Sequence, residues 1–476
     1  MMKAVLYRPN DGFICEENGA AAPTQYRILS YSMTMLAAAL VDAGVDLVVL
    51  DAGAEGIDVS QSLRRIEEAK PEALLIALNT SAAGCGLMGV GDLKAKLQIP
   101  VVAFITHPLE EEVLRSYPFL DIVVLREWRT ASVQVLAAIL VKGNLQDIKG
   151  ICFRRDGELM KTASRALEPF DRCPMPPLHL FPMQRYNAYS FMFSQGCNYS
   201  CMYCYFRHAG KWVGRDIDRC IEELRRLRTY GNRLVFAFDD ELTTDLDYAK
   251  KLALAIGGNK LNMMLSANTR ADRYDGELFE LMSKAGFILL SFGVESGSQE
   301  VLDKNATRKN LEQVLRTSKL LMKYKIAVKY FFMIGLLHDT RESIHETFRF
   351  VTEKLKPADA SFDICVPYPS TPMYHYLRHF DWIKEITPEN LTWIYYHLYG
   401  CHQLGGTRME KPFWRIGDLT FEDLVDLERK YYHLVPHRGY RSKLRSWVRN
   451  PSFWRCAASM VMTNPKVVLN LARRFI

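Results

Sequence analysis

Three cysteines, Cys197, Cys201 and Cys204, lie in one stretch of eight residues and could bind a metal. Thiolates are the ligands of iron–sulfur clusters, and they also bind zinc. Three thiolates leave one iron of a four-iron cube open to a further ligand, whereas a structural zinc ion would need a fourth ligand from elsewhere in the chain. The spacing therefore indicates a metal centre and leaves a [4Fe–4S] cluster and zinc as alternatives.

The elements that must position these cysteines are predicted from apolar runs in residues 188–376. Six runs recur there at intervals that fit one strand and one helix each; they begin near Ser190, Leu234, Leu261, Phe287, Ala327 and Ala360. This pattern predicts an α/β fold, an incomplete TIM-type (β/α)6 barrel. Because such barrels carry their chemistry at the carboxyl ends of the strands, the cysteines after the first run fall where a site is expected.

Residues 1–145 predict a second α/β fold, a doubly wound parallel sheet. Five unbroken apolar runs alternate there with helical patterns, which is typical of strands covered by helices on both faces. Residues 146–187 are interpreted as an edge segment followed by a linker, because they contain five prolines. Residues 377–476 are mostly helical by pattern.

The composition is that of a globular protein, with 49% apolar and 24% charged residues. The chain has eleven cysteines, an odd number, and all except the group of three are scattered, which is not typical of a disulfide framework. No apolar run is long enough to span a membrane, and the amino terminus lacks a signal-peptide pattern. We therefore expect a cytoplasmic protein.

The net charge of +7 is concentrated at the end of the chain. Residues 429–476 contain eleven Lys or Arg and no Asp or Glu. A helix predicted at residues 465–475 places basic residues beside an apolar stripe, which suits peripheral contact with an anionic membrane. Packing on the barrel is the alternative, and nucleic acid is the least favoured partner.

An aromatic residue, Tyr203, precedes the last cysteine, and this Cys-x3-Cys-x2-Cys pattern resembles the signature of the radical S-adenosylmethionine (SAM) superfamily. The resemblance implies that Cys197, Cys201 and Cys204 hold a [4Fe–4S] cluster whose open iron is chelated by SAM. It implies reductive cleavage of SAM to a 5′-deoxyadenosyl radical, which abstracts hydrogen from a substrate. It also implies a reducing partner such as flavodoxin or ferredoxin.

Five further segments resemble parts of the superfamily that contact SAM: residues 236–243, 266–270, 291–298, 332–336 and 367–372. By this resemblance the acids would meet the methionine ammonium, the arginine its carboxylate, the glutamate the ribose and the glycine the adenine. The residues implied to contact SAM are Tyr203, Asp239, Asp240, Ser266, Arg270, Glu295 and Gly335.

The N-terminal domain, the linker and the barrel together resemble the radical SAM subfamily with an N-terminal cobalamin-binding domain. That subfamily contains methyltransferases and enzymes that cyclise or rearrange their substrates. The chain departs from it at residues 104–107, which read Phe-Ile-Thr-His in place of Gly-Gly-x-His, and at residues 126–129, which read Arg-Glu-Trp-Arg in place of Gly-Glu-x-Glu. Bulky residues would fill space that glycine leaves for a ligand, so a scaffold without cobalamin is the alternative.

Two enzymatic functions follow. The first is methylation or rearrangement of an unactivated carbon with cobalamin, on an unknown lipid, peptide or small molecule. The second lacks cobalamin and epimerises a peptide, with Cys365, or less favourably Cys401, donating a hydrogen atom; a buried core cysteine is the plainer interpretation of Cys365. A non-catalytic iron–sulfur protein is a third alternative, and the SAM-contact segments argue against it.

Overall fold

The computed structural model describes residues 2–10, 14–15, 21–22, 27–78, 87, 89–105, 109–125, 127–205, 210–357, 359–384 and 414–432. The chain divides into two compact units, and the boundary lies between Tyr186 and Asn187. Each unit has its own parallel sheet, as the two series of apolar runs predict.

The sheet of the first unit has seven strands. In chain order these are β1 (Lys3–Arg8), β2 (Asp46–Asp51), β3 (Ala73–Ala77), β4 (Val101–Ile105), β5 (Ile122–Leu125), β6 (Ile151–Arg155) and β7 (Glu158–Lys161). They pair in the order β7-β6-β5-β4-β3-β1-β2. The first five are parallel, whereas β6 pairs antiparallel with β5 and β7 with β6. Every residue of β3 and β4 is buried, which explains their unbroken apolar sequence and confirms the doubly wound prediction.

The helices of the first unit cover this sheet. They are Tyr31–Asp42, Ala52–Glu55, Val59–Ala69, Val90–Leu97, Glu110–Ser116 and Trp128–Val141, with a 3-10 turn at Leu145–Asp147. Short strands lie at Ile14–Cys15, which pairs with Ala21–Ala22, and at Ile28–Leu29. The third helix begins with a capping box, in which Asp58 and Gln61 satisfy each other's backbone N–H groups.

The proline-rich segment, expected to be a linker, is packed on the first unit. It forms three 3-10 turns, Phe170–Arg172, Leu178–Leu180 and Met183–Arg185. Its Tyr186 hydroxyl donates to Asp51 Oδ2 at 2.7 Å. Because its aromatic and aliphatic side chains are buried, the prolines shape a packed surface rather than a free connection.

The second unit contains the incomplete barrel. Its strands are β8 (Ala188–Phe191), β9 (Leu234–Ala237), β10 (Met264–Arg270), β11 (Phe287–Glu295), β12 (Ala327–Ile334) and β13 (Ala360–Ile364). Consecutive strands pair in parallel, and this confirms the predicted (β/α)6 arrangement.

Helices follow the barrel strands. They are Ile217–Arg228, Leu246–Gly258, Gly276–Ala285, Gln299–Lys304, Leu311–Lys323, Arg341–Arg349, which continues as a π-turn at Phe350–Leu355, and Pro372–His379. Short antiparallel pairs join Ser194–Gln195 to Val213–Gly214 and Arg415–Ile416 to Leu419–Thr420, and a last helix spans Phe421–Tyr432.

The two faces of the barrel strands have different neighbours. Phe332 stacks on Phe362 with ring centroids 5.0 Å apart, and Phe362 stacks on Phe348 of the helix Arg341–Arg349. The Tyr330 hydroxyl is 2.6 Å from Ser318 Oγ on another helix. These residues therefore define the helix-facing side, and the alternate residues of each strand face the barrel interior.

The C-terminal region is described only at residues 414–432. The Tyr431 ring stacks on Phe348 with centroids 3.8 Å apart, so the helix Phe421–Tyr432 packs on the barrel. The predicted helix at residues 465–475 lies outside the described residues. Within the described ranges, no helix is both long enough and apolar enough to cross a membrane.

Candidate active site

The three cysteines lie on the segment that follows β8, which we name the cluster loop (residues 196–205). All three are half-buried, and none forms a disulfide. The loop begins at Gly196, which has a φ of +81°, and a Cβ there would lie 2.5 Å from the carbonyl oxygen of Lys211. Only glycine fits this turn, so the residue before the first cysteine fixes the direction in which the loop leaves the barrel.

The surroundings of Cys197 hold its thiol in the protonated form. Burial, with smaller contributions from the negative charges of Glu241 and Asp240, raises the pKa of Cys197 to about 11. A metal that binds this sulfur must displace the proton, because thiolates and not thiols are the ligands.

Asp239 and Asp240, which follow β9, both contact the chain leaving β8. Asp239 Oδ1 accepts hydrogen bonds from Phe193 N at 3.0 Å and from Ser194 Oγ at 2.6 Å. Asp239 Oδ2 is buried and has no partner in the described part of the chain, and burial raises the pKa of this carboxyl to about 7. Asp240 Oδ2 accepts from Gly196 N at 2.8 Å. The pair thus fixes the start of the cluster loop, and its contact with the SAM ammonium stays a prediction.

Arg270, at the end of β10, is occupied by protein groups. Its Nε and Nη2 donate to the two carboxylate oxygens of Asp272 at 2.9 and 2.8 Å. Nη1 donates to Thr307 O at 3.0 Å, and Nη2 also to Arg308 O at 3.1 Å. The guanidinium carbon lies 3.9 Å from the ring centroid of Tyr199 in the cluster loop. Four of the five guanidinium N–H groups therefore donate to protein atoms, and one remains for the expected contact with the SAM carboxylate.

Ser266 lies on the same face of β10 as Arg270, four residues earlier. It is buried, with an exposed fraction of 6%. Its register partners are Phe236 on β9 and Leu289 on β11. The structure thus places Ser266 in the barrel interior, and its contact with SAM stays a prediction.

Glu295 ends β11 in a strained conformation. Its φ is +74°, in the left-handed region that a residue with a side chain rarely adopts. Its Oε1 accepts from Lys309 Nζ at 2.7 Å. A Cβ on Gly293 would crowd the same Oε1, so a larger residue two positions earlier would displace this carboxylate oxygen. Strain of this kind concentrates at functional sites, and the ribose contact expected of Glu295 stays a prediction.

Gly335, which follows β12, has a φ of +79°, and a Cβ there would lie 2.7 Å from Leu424 of the last helix. The Gly335 and Leu336 N–H groups donate to Asp339 Oδ2 at 2.9 and 3.0 Å. Burial raises the pKa of Asp339 to about 6. The carboxylate closes the turn, which leaves the predicted adenine contact of Gly335 as a prediction.

The pKa values of Tyr203 and Cys365 are both influenced by Glu295 and Cys204. Burial raises the pKa of Tyr203 well above its usual range, and Glu295 and two cluster-loop cysteines raise it further. Burial also raises the pKa of Cys365, and Glu295, Asp339 and Cys204 add to it. The Cys365 thiol is 3.6 Å from Met373 Sδ and is 2% exposed, as a core cysteine would be. Its role as a hydrogen donor stays a prediction, and Cys401 lies outside the described residues.

Lys309 is a site residue that the sequence did not indicate. It is 6% exposed and belongs to the segment that we name the bracket (residues 305–309). The bracket also supplies Asn305 O, which accepts from Met202 N in the cluster loop at 3.1 Å. Asn305 Nδ2 donates to Leu337 O at 2.8 Å. The bracket therefore links the cluster loop to the ends of β10, β11 and β12. These contacts join residues far apart in the sequence, and no local sequence pattern predicts them.

In the first unit, bulky side chains lie at the ends of β4 and β5. Phe104 contacts Trp128, with ring centroids 5.9 Å apart. Arg129 Nε donates to Glu127 Oε1 at 2.9 Å, and the Arg129 guanidinium carbon lies 4.5 Å from the Phe170 ring centroid. The ion pair is almost fully buried. Thr106, His107 and Arg126, the other departures from the cobalamin-binding pattern, lie outside the described residues.

The barrel and its cluster loop define a class, the enzymes that bind an iron–sulfur cluster after the first strand of a partial TIM barrel. Residues 191–351 match the family described as the radical SAM superfamily. Over these residues the chain carries a radical SAM domain, and the protein is a radical SAM enzyme. Its cofactors are accordingly a [4Fe–4S] cluster and SAM.

Two relatives show the breadth of the similarity. An uncharacterized methyltransferase of Pyrococcus horikoshii is 26% identical over 355 residues, which are 71% of this chain and 76% of the relative. An anaerobic magnesium-protoporphyrin IX monomethyl ester cyclase of Synechocystis is 24% identical over 304 residues. That match covers 59% of this chain and 61% of the cyclase.

A solved structure shares the fold. It is the radical SAM methyltransferase TsrM of Kitasatospora setae, with cobalamin and a [4Fe–4S] cluster bound. The TM-score is 0.65 at 16% identity, and the likeness covers 80% of this chain and 75% of that chain.

The residues at the cluster loop fit a cluster and SAM. Three cysteines that form no disulfide lie on one loop, and each could bind a different iron. Asp239 Oδ2 is a buried acceptor without a partner among the described residues, which suits a cationic ligand group. Over the described ranges, no three His, Cys, Asp or Glu side chains converge as ligands of one metal ion.

Proposed function

We propose that this enzyme cleaves SAM reductively at a [4Fe–4S] cluster held by Cys197, Cys201 and Cys204, and abstracts hydrogen from an unactivated carbon of its substrate. Held by these three cysteines, a reduced cluster would supply the one electron that cleavage of the C5′–S bond of SAM requires. The observation that carries the proposal is the set of three cysteines, none in a disulfide, on a loop that hydrogen bonds hold at Gly196 and Met202.

The protein's own contribution is to hold that loop and to limit the access of water. Asp240 holds the backbone of Gly196 before the first cysteine. Asn305 O accepts from Met202 N, and Met202 O accepts from Met373 N at 3.1 Å. Bonds on both sides of the loop keep the three sulfurs in one arrangement, and half-burial limits solvent around them.

The relatives support methylation or rearrangement of a carbon centre, with cobalamin, as one form of this reaction. One relative is named a methyltransferase and one a cyclase, and the fold neighbour binds cobalamin. In this chain, however, Phe104, Trp128 and the Glu127–Arg129 ion pair occupy the ends of β4 and β5. These bulky side chains leave less room at the two strand ends than the glycines of the cobalamin-binding pattern would, so the proposed radical step is written without cobalamin.

The filled strand ends favour the second form, a radical SAM enzyme without cobalamin. Peptide epimerisation is its candidate reaction, and Cys365 would be the hydrogen donor. Its position directly after β13 in the barrel is the basis for this role, whereas its burial against Met373 supports a place in the core.

Incubation with hydroxocobalamin separates the two forms. Anaerobically reconstituted protein is mixed with hydroxocobalamin, passed through a desalting column and examined for corrin absorbance. Retained corrin, with S-adenosylhomocysteine formed beside 5′-deoxyadenosine, supports methyl transfer. Absence of corrin with 5′-deoxyadenosine as the nucleoside product supports the cobalamin-free form. A reducing partner such as flavodoxin or ferredoxin, and peripheral membrane contact through residues 429–476, stay predictions.

A further inference from the structure

We infer that Arg270 is a positioning residue that holds the cluster loop through the ring of Tyr199, and that it does not serve mainly as a ligand of SAM. The inference rests on the proposed binding of a cluster by this loop. Tyr199 lies midway between the first two cysteines, so whatever fixes its ring fixes the spacing of Cys197 and Cys201.

The Arg270 guanidinium lies over the ring of Tyr199. The Arg270 guanidinium carbon is 3.9 Å from the Tyr199 ring centroid, well inside the range of a cation–π interaction. Arg270 is 5% exposed, and the desolvated setting strengthens this attraction.

Hydrogen bonds to other protein groups hold Arg270 in place. Its fork binds both carboxylate oxygens of Asp272, and the bracket supplies the carbonyls of Thr307 and Arg308. Of five N–H groups, four are used within the protein. These hydrogen bonds fix the guanidinium in one orientation, in which it supports the Tyr199 ring. A ligand of SAM would instead need N–H donors directed at the cofactor.

A second arginine, Arg273, also contacts Tyr199. Arg273 Nη2 hydrogen-bonds the Tyr199 hydroxyl, and its guanidinium carbon is 5.9 Å from the ring centroid. Tyr199 is thus held on its face by Arg270 and at its hydroxyl by Arg273. Together with the bond from Met202 N to Asn305 O, this fastens the cluster loop on either side of Cys201.

The experiment compares Arg270→Lys, Tyr199→Leu and the double variant with the wild type, without SAM. Lysine keeps the charge but cannot form the bidentate fork or the planar stack. Arg316→Lys, an exposed arginine on the helix Leu311–Lys323, is the matched control. Thermal unfolding checks that each variant is folded, and the readouts are the rate of iron loss to a chelator and the electron paramagnetic resonance spectrum of the reduced cluster.

We expect R270K and Y199L each to speed iron loss by about tenfold and to alter the spectrum, and the double variant to match Y199L alone, because the two residues act through one contact. R316K should behave as the wild type. If R270K weakens SAM binding but leaves the SAM-free cluster unchanged, Arg270 is a SAM ligand and the inference is overturned. A wild type that binds no cluster would instead overturn the proposed function, so the two failures are distinguishable.

Discussion

The Glu295 carboxylate and the Lys309 ammonium lie 2.7 Å apart, with side chains only 13% and 6% exposed. This ion pair joins the strained end of β11 to the bracket, which in turn holds the cluster loop. Burial makes the pair costly to break, since removing one partner leaves the other charge without its counterion.

Glu295→Gln should therefore destabilise the fold. We expect the free energy of unfolding to fall by about 2 kcal/mol, because Lys309 keeps its charge and loses its anion. Urea denaturation of the apoprotein measures it. Glu300→Gln removes the partner of an exposed Lys304, and should leave the denaturation midpoint close to that of the wild type. Equal effects for the two variants would show that burial of the Glu295 pair does not matter.

Gly196→Ala should impair the binding of iron. The new Cβ would lie 2.5 Å from Lys211 O, and the backbone would have to shift just before Cys197. We expect the iron content after anaerobic reconstitution to fall to less than about half, as a ligand is displaced. Gly157→Ala is the control, because it has a similar φ of +84° with open space around it. Full iron content in G196A would mean that the turn does not set the ligand position.

Asp339 should make stability depend on pH. Its pKa is raised from 3.8 to about 6, chiefly by burial, so the folded state binds its proton more tightly than the unfolded state. The resulting stabilisation is fully present below pH 4 and is lost as the pH rises through 6, a change of about 3 kcal/mol. Asp339→Asn should flatten this part of the profile.

Denaturation of the wild type and of D339N between pH 4 and pH 7.5 measures that difference. Asp239 and Glu428, whose pKa values are raised to about 7, act in the same direction in both proteins and cancel in the comparison. Parallel profiles would exclude Asp339 as the source.

Cys365→Ala distinguishes a core thiol from a hydrogen donor. From its 2% exposure and its contact with Met373, we expect SAM cleavage and substrate turnover to persist, with a loss of about 1 kcal/mol in stability. Product analysis by mass spectrometry, with 5′-deoxyadenosine measured in parallel, tests this. Intact cleavage with no turnover would instead identify Cys365 as the donor.

The sequence was sufficient to predict both sheets and the position of the cluster loop. Strands such as β3 and β4 are buried on both faces and are therefore continuous apolar runs, which a short stretch of sequence is enough to identify. The cysteine spacing is equally local.

The rest depends on contacts between distant residues. Arg270 lies 71 positions from Tyr199 and 37 from Thr307, and no periodicity encodes such pairs. The positive φ of Glu295 and the burial of Lys309 are likewise products of packing. The five prolines predict a linker, whereas burial of Phe170 and Phe181 packs this segment on the first unit.

The most direct test of the central claim is anaerobic reconstitution with iron and sulfide, followed by reduction in the presence of SAM. We predict about four irons per chain and formation of 5′-deoxyadenosine. Alanine at Cys197, Cys201 or Cys204 should abolish both, whereas alanine at Cys220, a buried cysteine of the helix Ile217–Arg228, should abolish neither. A wild type that takes up only zinc and leaves SAM intact would contradict the account.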